Sequence, residues 1–596
     1  MVAAGAPVDL LHGCNLPAAW ADQRQWRILE IGFGRGLNFL AAWLAWKNDP
    51  QRPLMLHFVS IDAVSVLPLP QQPHRLMHTG ATSELAPLLA ELASQCFGLS
   101  PGFHRLVFEG GRVLLTLCIG DVRKLLREQD FAADSIFLRS IDPVPDATTW
   151  DLHALKALAR LCRRGTRLAA QSTTLPAMAE LAQCGFVDAA AATSSPQSDR
   201  AGLQAVFAPA WEPKGMRHIA AANAGRCVVV GAGLAGAAAA ASLARRGWQV
   251  QVLDSAPAPA AGASAVPAGL LCPDHSPDDN LLSRLSRSGV RATLQQARAL
   301  LREGTDWQLT GALEHRVSVH GADPEGSTDP VRMWSRTADP AHRQLALLND
   351  TAVARWHPHA AWIKPAALVR AWLAQPGISW RGGIRVARIE RQSQGWTLLD
   401  AAGRAVAQAD LVVIAAAHES AALLATTSTA AALTLQPVRG QLSWAVRQAG
   451  QRLPPFPVNG LGYFIADVPL AGGSAWLCGS TFVRGDTGLD GRHADHEENL
   501  GRLQHLLPAT ARQLASTFAT SALQAWTGIR CASADRRPLV GELEPGLWLS
   551  TAMGSRGLTF AALCAELIAA RLHDEPLLLP RKLAAALDVG RRSGCR

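Results

Sequence analysis

The sequence predicts an α/β protein made of two consecutive Rossmann-like units, the second interrupted by an inserted antiparallel α+β portion. Two observations carry this. Twice an apolar, strand-like run breaks into alternating glycines and resumes as an apolar helix: "ILEIGFGRGLNFL" at 28–40 and "CVVVGAGLAGAAAAASLARRGWQVQVLD" at 227–254. After each turn, strand-like and helical segments keep alternating, the pattern of a sheet covered by helices. At 596 residues the chain also exceeds what one ordinary core organises.

In the first unit the expected strands are "WRILEIGFG", "LMLHFVSID", "VLLTLCIGD", "DSIFLRSID" and "GTRLAAQST", with amphipathic stretches such as "LHALKALARLCRRG" between them. This unit is expected to span 1–210. A polar, weakly patterned linker follows at 211–226, and the second unit covers 227–596. Its middle interleaves "GISWRGGIRVARIERQSQGWTLLDAAG" and "SAWLCGSTFVRG" with helices. It then returns to a nucleotide-type strand in "ADLVVIAAAH" (409–418) and closes with the helix "LTFAALCAELIAARLH". The segments after the two turns differ, so the units are not duplicates.

Composition narrows the function classes. With 48% hydrophobic and 18% charged residues the chain is globular rather than disordered. Its eleven cysteines form no C-x-x-C pair and no zinc-spaced cluster, so no metal is expected and a reducing, cytoplasmic setting is. The start, "MVAAGAPVDLLHG", lacks the basic and apolar regions of a signal peptide. No stretch approaches the roughly 20 apolar residues of a membrane span, so no membrane partner is expected. The net charge of +9 suits a polyanion such as nucleic acid, or simply an arginine-rich proteome.

The second turn supplies G-x-G-x-x-G at Gly231, Gly233 and Gly236 directly after a strand. Such glycines allow a tight turn, a close backbone approach to a pyrophosphate, and tight helix packing on the sheet. The next strand ends in Asp254, placed to bind a ribose hydroxyl pair. Further on come "GAS" (Gly262 to Ser264), "VRGQ" (438–441), "GIRCASADRRPLVG" (528–541) and "MGSRGLTFAALCAELIA" (553–569). This series resembles the D-amino-acid oxidase and glycine oxidase class of flavoproteins. The resemblance implies FAD, with Gly554, Arg556, Gly557 and Leu558 on the turn that meets the flavin ring. It makes Arg530 the anchor of a substrate carboxylate, a task suited to a planar, permanent cation. It places Arg439 in the flavin's surroundings. Tyr463, the chain's only tyrosine, is either a second substrate contact or an aromatic packed beside a turn.

The first turn reads E-x-G-x-G-x-G at Glu30, Gly32, Gly34 and Gly36. It lacks the third glycine of the dinucleotide pattern and is preceded by an acid, which suits a cationic sulfonium without phosphate. It resembles the turn of class I S-adenosylmethionine (SAM) methyltransferases. In that class the second strand ends in an acid for the ribose, here Asp62, and a later G-D lies beside the adenine, here Gly120 and Asp121.

A methyltransferase unit followed by a glycine-oxidase-like unit resembles the family of bifunctional tRNA wobble-uridine modification proteins. "GCNLPAAWAD", "LEIGFGRGLNFLAAW", "RRGWQVQVLD" and "MGSRGLTFAALCAEL" carry that resemblance. It implies a tRNA partner and two reactions on uridine 34. The carboxymethyl group of 5-carboxymethylaminomethyl-(2-thio)uridine is removed at FAD, and the exposed aminomethyl group is then methylated from SAM. The chain departs from the family pattern in three places. Arg139 in "FLRSIDPVPDATTW" stands where the family carries Asp, with Asp142 as the expected substitute, and Arg35 replaces the usual threonine. The chain also opens almost at "GCNLPAAW", so a shortened N-terminus is expected. A flavin amine oxidase with a non-catalytic first unit, and a free amino-acid or sarcosine-type oxidase, are the alternatives. The oligomeric state is not legible in the sequence.

Overall fold

The computed structural model describes residues 8–62, 84–138, 152–170, 178–189, 203–212, 222–316, 330–427 and 433–591. They fall into two units. One comprises residues 1–222 with 570–584, the other residues 223–569 with 585–596.

The first unit is built on β1 (Gln25–Ile31), α1 (Leu37–Asn48), β2 (Met55–Asp62), β3 (Gly102–Phe108), β4 (Val113–Ile119), α2 (Val122–Glu128), β5 (Ala133–Leu138), β6 (Cys162–Ala170), β7 (Phe186–Asp188) and β8 (Leu203–Phe207). The strands form one eight-stranded sheet in the order β3-β4-β2-β1-β5-β6-β8-β7. The centre, β4-β2-β1-β5-β6, is parallel, while β3 and β8 run against it at the two sides and β7 pairs antiparallel with β8 at the edge. All five strands expected in this unit are present. Trp26 and Ile28 face an apolar layer with Phe39, Trp43 and Phe108, while Leu29 and Ile31 face another with Leu126, Ile136 and Leu158. Burial on both faces explains why these strands read as nearly continuous apolar runs. The chain leaves β1 for β2 on one side and has β5 on the other, so the turn after β1 sits where an α/β sheet opens a crevice.

Residues 570–584 complete this unit. At the amino-terminal ends of β1 and β5, the buried Arg27 donates through Nε to Asp134 at 3.1 Å and through Nη1 to Asp574 at 2.9 Å. Arg105 donates to the Pro576 carbonyl at 2.6 Å, and Gln25 to that of His573 at 2.8 Å. Asp134 has no exposed side-chain surface, and without the Arg27 side chain it keeps the Arg163 ion pair and the backbone N–H of residue 27. Arg27→Ala is therefore expected to destabilise this unit by about 1–3 kcal/mol, through the lost hydrogen bonds to Asp134 and Asp574. Thermal unfolding checks this, and an unchanged melting temperature would count against the role given to residues 570–584.

The second unit is built on two large β-sheets and two three-stranded ones. Its Rossmann sheet contains β9 (Arg226–Val230) and β10 (Gln249–Leu253), with α3 (Leu234–Arg245) between them. After β11 (Gly269–Leu271) and α4 (Leu281–Leu300) come β12 (Ala312–His315), β13 (Arg336–Thr337), β14 (Ala354–His357), β15 (Ala361–Ile363), β16 (Ile378–Arg381) and β17 (Leu411–Ile414). Next are β18 (Leu435–Val446), β19 (Val458–Gly460), β20 (Gly462–Leu470), β21 (Gly473–Gly479), β22 (Val483–Arg484), α5 (His493–Leu506) and β23 (Gln524–Ser533). The unit ends with β24 (Leu539–Glu544), β25 (Leu547–Thr551) and α6 (Gly557–His573).

The Rossmann sheet has the order β16-β10-β9-β17-β25-β24 and is parallel up to β25. The other large sheet is nine-stranded, β13-β14-β12-β19-β20-β21-β18-β22, with β23 on the free side of β18. Apart from the β12–β19 pair it is antiparallel, as the insertion predicted. The return strand expected in "ADLVVIAAAH" is β17, and the closing helix is α6. Among the described residues no helix is long and apolar enough to cross a membrane, and no His/Cys/Asp/Glu group is arranged to hold a metal.

Candidate functional site

In the second unit the glycine turn follows β9. Gly231 has φ +110°, open to glycine at little cost, and a Cβ there would come within 2.5 Å of the Ala415 carbonyl oxygen. A Cβ on Gly236 would fall on the carbonyl oxygen of Gly231, so α3 packs directly on the turn. Gly233 caps α3 without a side chain, and the Leu234 N–H donates to Ser264 Oγ at 3.0 Å. Asp254 accepts from the Ala232 N–H at 2.6 Å and the Ala256 N–H at 2.8 Å, tying the end of β10 to the turn. Gly262 and Gly554 have nothing within 4 Å of where a Cβ would stand. A bare helix start, an acid beside it and an open glycine-lined margin fit a dinucleotide.

The second glycine turn, far away in sequence, closes on this one. The Gly554 N–H donates to the Cys531 carbonyl at 2.8 Å, tying the start of α6 to β23. A Cβ at Gly557 would be 3.2 Å from Leu234 at the start of α3. Leu558 covers Gly269 of β11, and Arg556 pairs with Asp274 at 2.8 Å. Residues that the sequence placed around one cofactor are thus brought together from four distant segments.

Arg530 lies on β23, next to the residue that holds this turn. The β18–β23 register pairs it with Val438, so Val438 and Gly440 share its face of the sheet. Its guanidinium lies flat across Gly440, where a Cβ would be 2.6 Å from Nη1 and 2.7 Å from Cζ. One Nη donates to Ser480 Oγ and the other to the Thr481 carbonyl at 3.4 Å. Tyr463 is partly buried against the apolar cluster that includes Leu442, Ala268 and Trp362. Burial pushes its hydroxyl well above the ordinary tyrosine range, the Arg530 charge only partly opposing this, so the phenol is a neutral donor. Gly440, Ser480 and Thr481 were not singled out in the sequence. The available signal was a glycine inside a strand, which marks a close approach.

Arg439, expected in the flavin's surroundings, lies on the opposite face of the strand from Gly440 and Arg530. It is fully buried and gives its donors to Asp495 Oδ2 at 2.6 Å and the carbonyls of Gly488 and Asp490 at 2.9 and 2.6 Å. Gln441 and Ser443, on the same face, bond Asn499 of α5. The reason is strand alternation: adjacent residues of β18 point to opposite faces. Arg439 fastens the back of the sheet whose front carries Arg530.

A second charged group lies on β12 and β14. His357 and Glu314 are 3.1 Å apart, and Arg316 reaches Glu314 at 2.9 Å. Burial opposes ionisation of Glu314, but the His357 hydrogen bond and the charges of His357 and Arg316 hold its carboxyl down at about 2. Burial and the Arg355 and Arg316 charges lower His275 to about 4, and burial with Arg291 lowers His359 to about 4. The unfolded chain binds protons at the two histidines near pH 6.5, whereas the folded chain does so only near pH 4. Stability is therefore complete above pH 6.5 and falls between those values, with a further loss as Glu314 titrates from 4.5 towards 2. The melting temperature of the protein is expected to drop from pH 7 to pH 4, less steeply in His359→Gln. A flat profile contradicts this.

In the first unit, Gly32, Gly34 and Gly36 have φ of +93°, +54° and +75°, so the turn after β1 requires all three glycines. Asp62, at the end of β2, accepts from the Gly34 N–H at 3.0 Å, as Asp254 accepts from the Ala232 N–H of its own turn. Glu30 is fully buried and accepts from Asn38 at 2.7 Å and Ser60 at 2.8 Å, bracing β1 against α1 and β2 beneath the turn. Asp121 caps α2 by accepting from the Lys124 N–H at 2.8 Å, and the Gly120 N–H donates to the Asp62 carbonyl at 2.9 Å. Arg35 is exposed on the turn. Arg139 and Asp142 lie outside the described residues.

These two sites agree with what the chain is similar to. Residues 226–571 match the family of FAD dependent oxidoreductases, and residues 83–206 that of S-adenosyl-L-methionine-dependent methyltransferases. The tRNA 5-methylaminomethyl-2-thiouridine biosynthesis bifunctional protein MnmC of Polaromonas naphthalenivorans is 50% identical over 591 residues, 97% of this chain and 92% of that one. Its namesake from Verminephrobacter eiseniae is 48% identical, covering 99% of this chain and 100% of the relative. Among solved structures, glycine oxidase from Geobacillus kaustophilus is 22% identical with a TM-score of 0.51, covering 62% of this chain and all of that one, a likeness of fold. The second unit therefore uses FAD and the first uses SAM as cosubstrate. By identity over nearly its whole length, the chain belongs to the MnmC family of bifunctional tRNA 5-methylaminomethyl-2-thiouridine biosynthesis proteins.

Proposed function

We propose that the chain acts twice on the wobble uridine of tRNA. Its oxidase unit removes the carboxymethyl group of 5-carboxymethylaminomethyl-(2-thio)uridine, and its methyltransferase unit then methylates the exposed amine. The observation that carries this reading is the Arg530 guanidinium, laid flat across Gly440 beside the neutral Tyr463 hydroxyl. That pair of donors fits the acid end of an N-substituted glycine, which is what the modified base carries.

Gly231, Gly233, Gly236, Asp254, Gly262, Ser264, Gly554, Arg556, Gly557 and Leu558 would hold the FAD, which supplies the acceptor for a hydride from the C–N carbon. Arg530 binds the carboxylate through two parallel N–H bonds, and its burial strengthens that pairing over one in water. Ser480 and Thr481 fix the guanidinium plane, and Tyr463 donates its O–H to the carboxylate. In the first unit Gly32, Gly34, Gly36, Asp62 and Asp121 would hold SAM, with Glu30 bracing the turn. Asp142 would take the proton of the amine, because Arg139 occupies the position where the family carries Asp. A protein with this substrate works in the cytoplasm.

Nucleoside analysis of tRNA carrying the carboxymethylaminomethyl group tests this. Without SAM the aminomethyl nucleoside is expected, and with SAM its N-methylated form. Untouched tRNA alongside oxidised free glycine analogues would overturn the reading.

A further inference from the structure

Phe482 immediately follows the two residues that fix Arg530. It is 51% exposed, and Arg530 Cζ lies 4.3 Å from its ring centroid. The ring stands on a rigid base. The Thr481 N–H donates to the Gln441 carbonyl at 3.2 Å, Thr481 Oγ accepts from the Gln441 N–H at 3.0 Å, and Val483 pairs with Arg439 of β18. The ring packs against the Arg530 guanidinium and is half open to solvent at the anchor proposed to receive the substrate's acid end. Leu461, 47% exposed, lies two residues before Tyr463 in the turn between β19 and β20.

We infer that Phe482 is the stacking platform for the substrate's uracil ring. The arm from C5 of that ring to its carboxylate is short: a methylene, an amine and a methylene. A base resting on Phe482 therefore delivers its acid to the guanidinium beneath the ring. Stacking on an exposed aromatic side chain is how single-stranded nucleotides are held generally. It makes Phe482 the residue that distinguishes a nucleotide-borne glycine from a free one. This inference rests on the proposed binding of the carboxymethylaminomethyl group at Arg530.

The test compares Phe482→Ala, Phe482→Leu, Phe482→Tyr and Arg530→Ala in the full-length flavin-loaded protein, using tRNA that carries the carboxymethylaminomethyl group. Melting temperature and flavin absorbance serve as folding controls. The Ala and Leu variants are expected to raise KM for this tRNA by about 5- to 100-fold with kcat retained, since the platform binds ground state and transition state alike. Tyr, which keeps a π face, is expected to restore the parent KM. Phe482→Leu also covers an Ala variant that fails to fold. A parent-like KM in the Leu variant makes the contact simple packing and overturns the inference, while loss of activity in Arg530→Ala leaves the site standing. Unchanged activity in Arg530→Ala sinks the reading of the site itself.

Discussion

Replacing Arg530 by alanine is expected to lower kcat/KM of the oxidase step by about 10²- to 10³-fold, about 3–4 kcal/mol of lost transition-state binding. The size follows from burial. The guanidinium is held at Ser480 and Thr481 beside Tyr463, so a carboxylate entering the site leaves water and depends on that charge. Arg530→Lys recovers only a small part, because one ammonium does not offer two parallel N–H bonds in a plane. Steady-state kinetics on modified tRNA checks both variants. A loss below threefold in Arg530→Ala would falsify the anchoring role.

Gly236→Ala is expected to yield colourless protein. The added methyl would fall on the Gly231 carbonyl oxygen and stand 3.2 Å from Val229, leaving little freedom to yield. The start of α3 must lift from the turn, at about 3 kcal/mol, and the cofactor cradle opens with it. Gly233→Ala is the contrasting variant. Its methyl would meet only Ser264 Oγ, at 3.3 Å, so it is expected to keep more flavin and more stability. Bound flavin per protein, read from the visible spectrum, separates the two. Equal flavin content in both contradicts the packing argument.

What the sequence made legible follows from what is local. Both glycine turns, the strands before them and the terminal acids Asp62 and Asp254 are set by short-range pattern, and all take the expected places. Both acids accept a backbone N–H of their own turn. What depends on register was not legible. Arg439 and Gly440 are neighbours in "VRGQ", yet strand alternation turns Arg439 to the back of the sheet and leaves Gly440 beneath Arg530. Nothing in the spacing of one strand says which face is the front; that is settled by β23, almost a hundred residues on. Phe482 was hidden for the same reason, since its meaning comes from Arg530 on another strand. The clasp of Arg27 by Asp574 joins the two ends of the chain, and no local pattern announces such a contact.

The proposed activity is oxidation of a tRNA-borne glycine at a flavin, followed by methylation of the amine it uncovers. The most direct measurement is anaerobic mixing of the flavin-loaded protein with tRNA bearing the carboxymethylaminomethyl group, followed by SAM. The flavin's visible absorbance is expected to bleach with release of one glyoxylate per modified base, and the same base is then expected to be methylated. A spectrum unmoved by this tRNA but bleached by a free amino acid would contradict it.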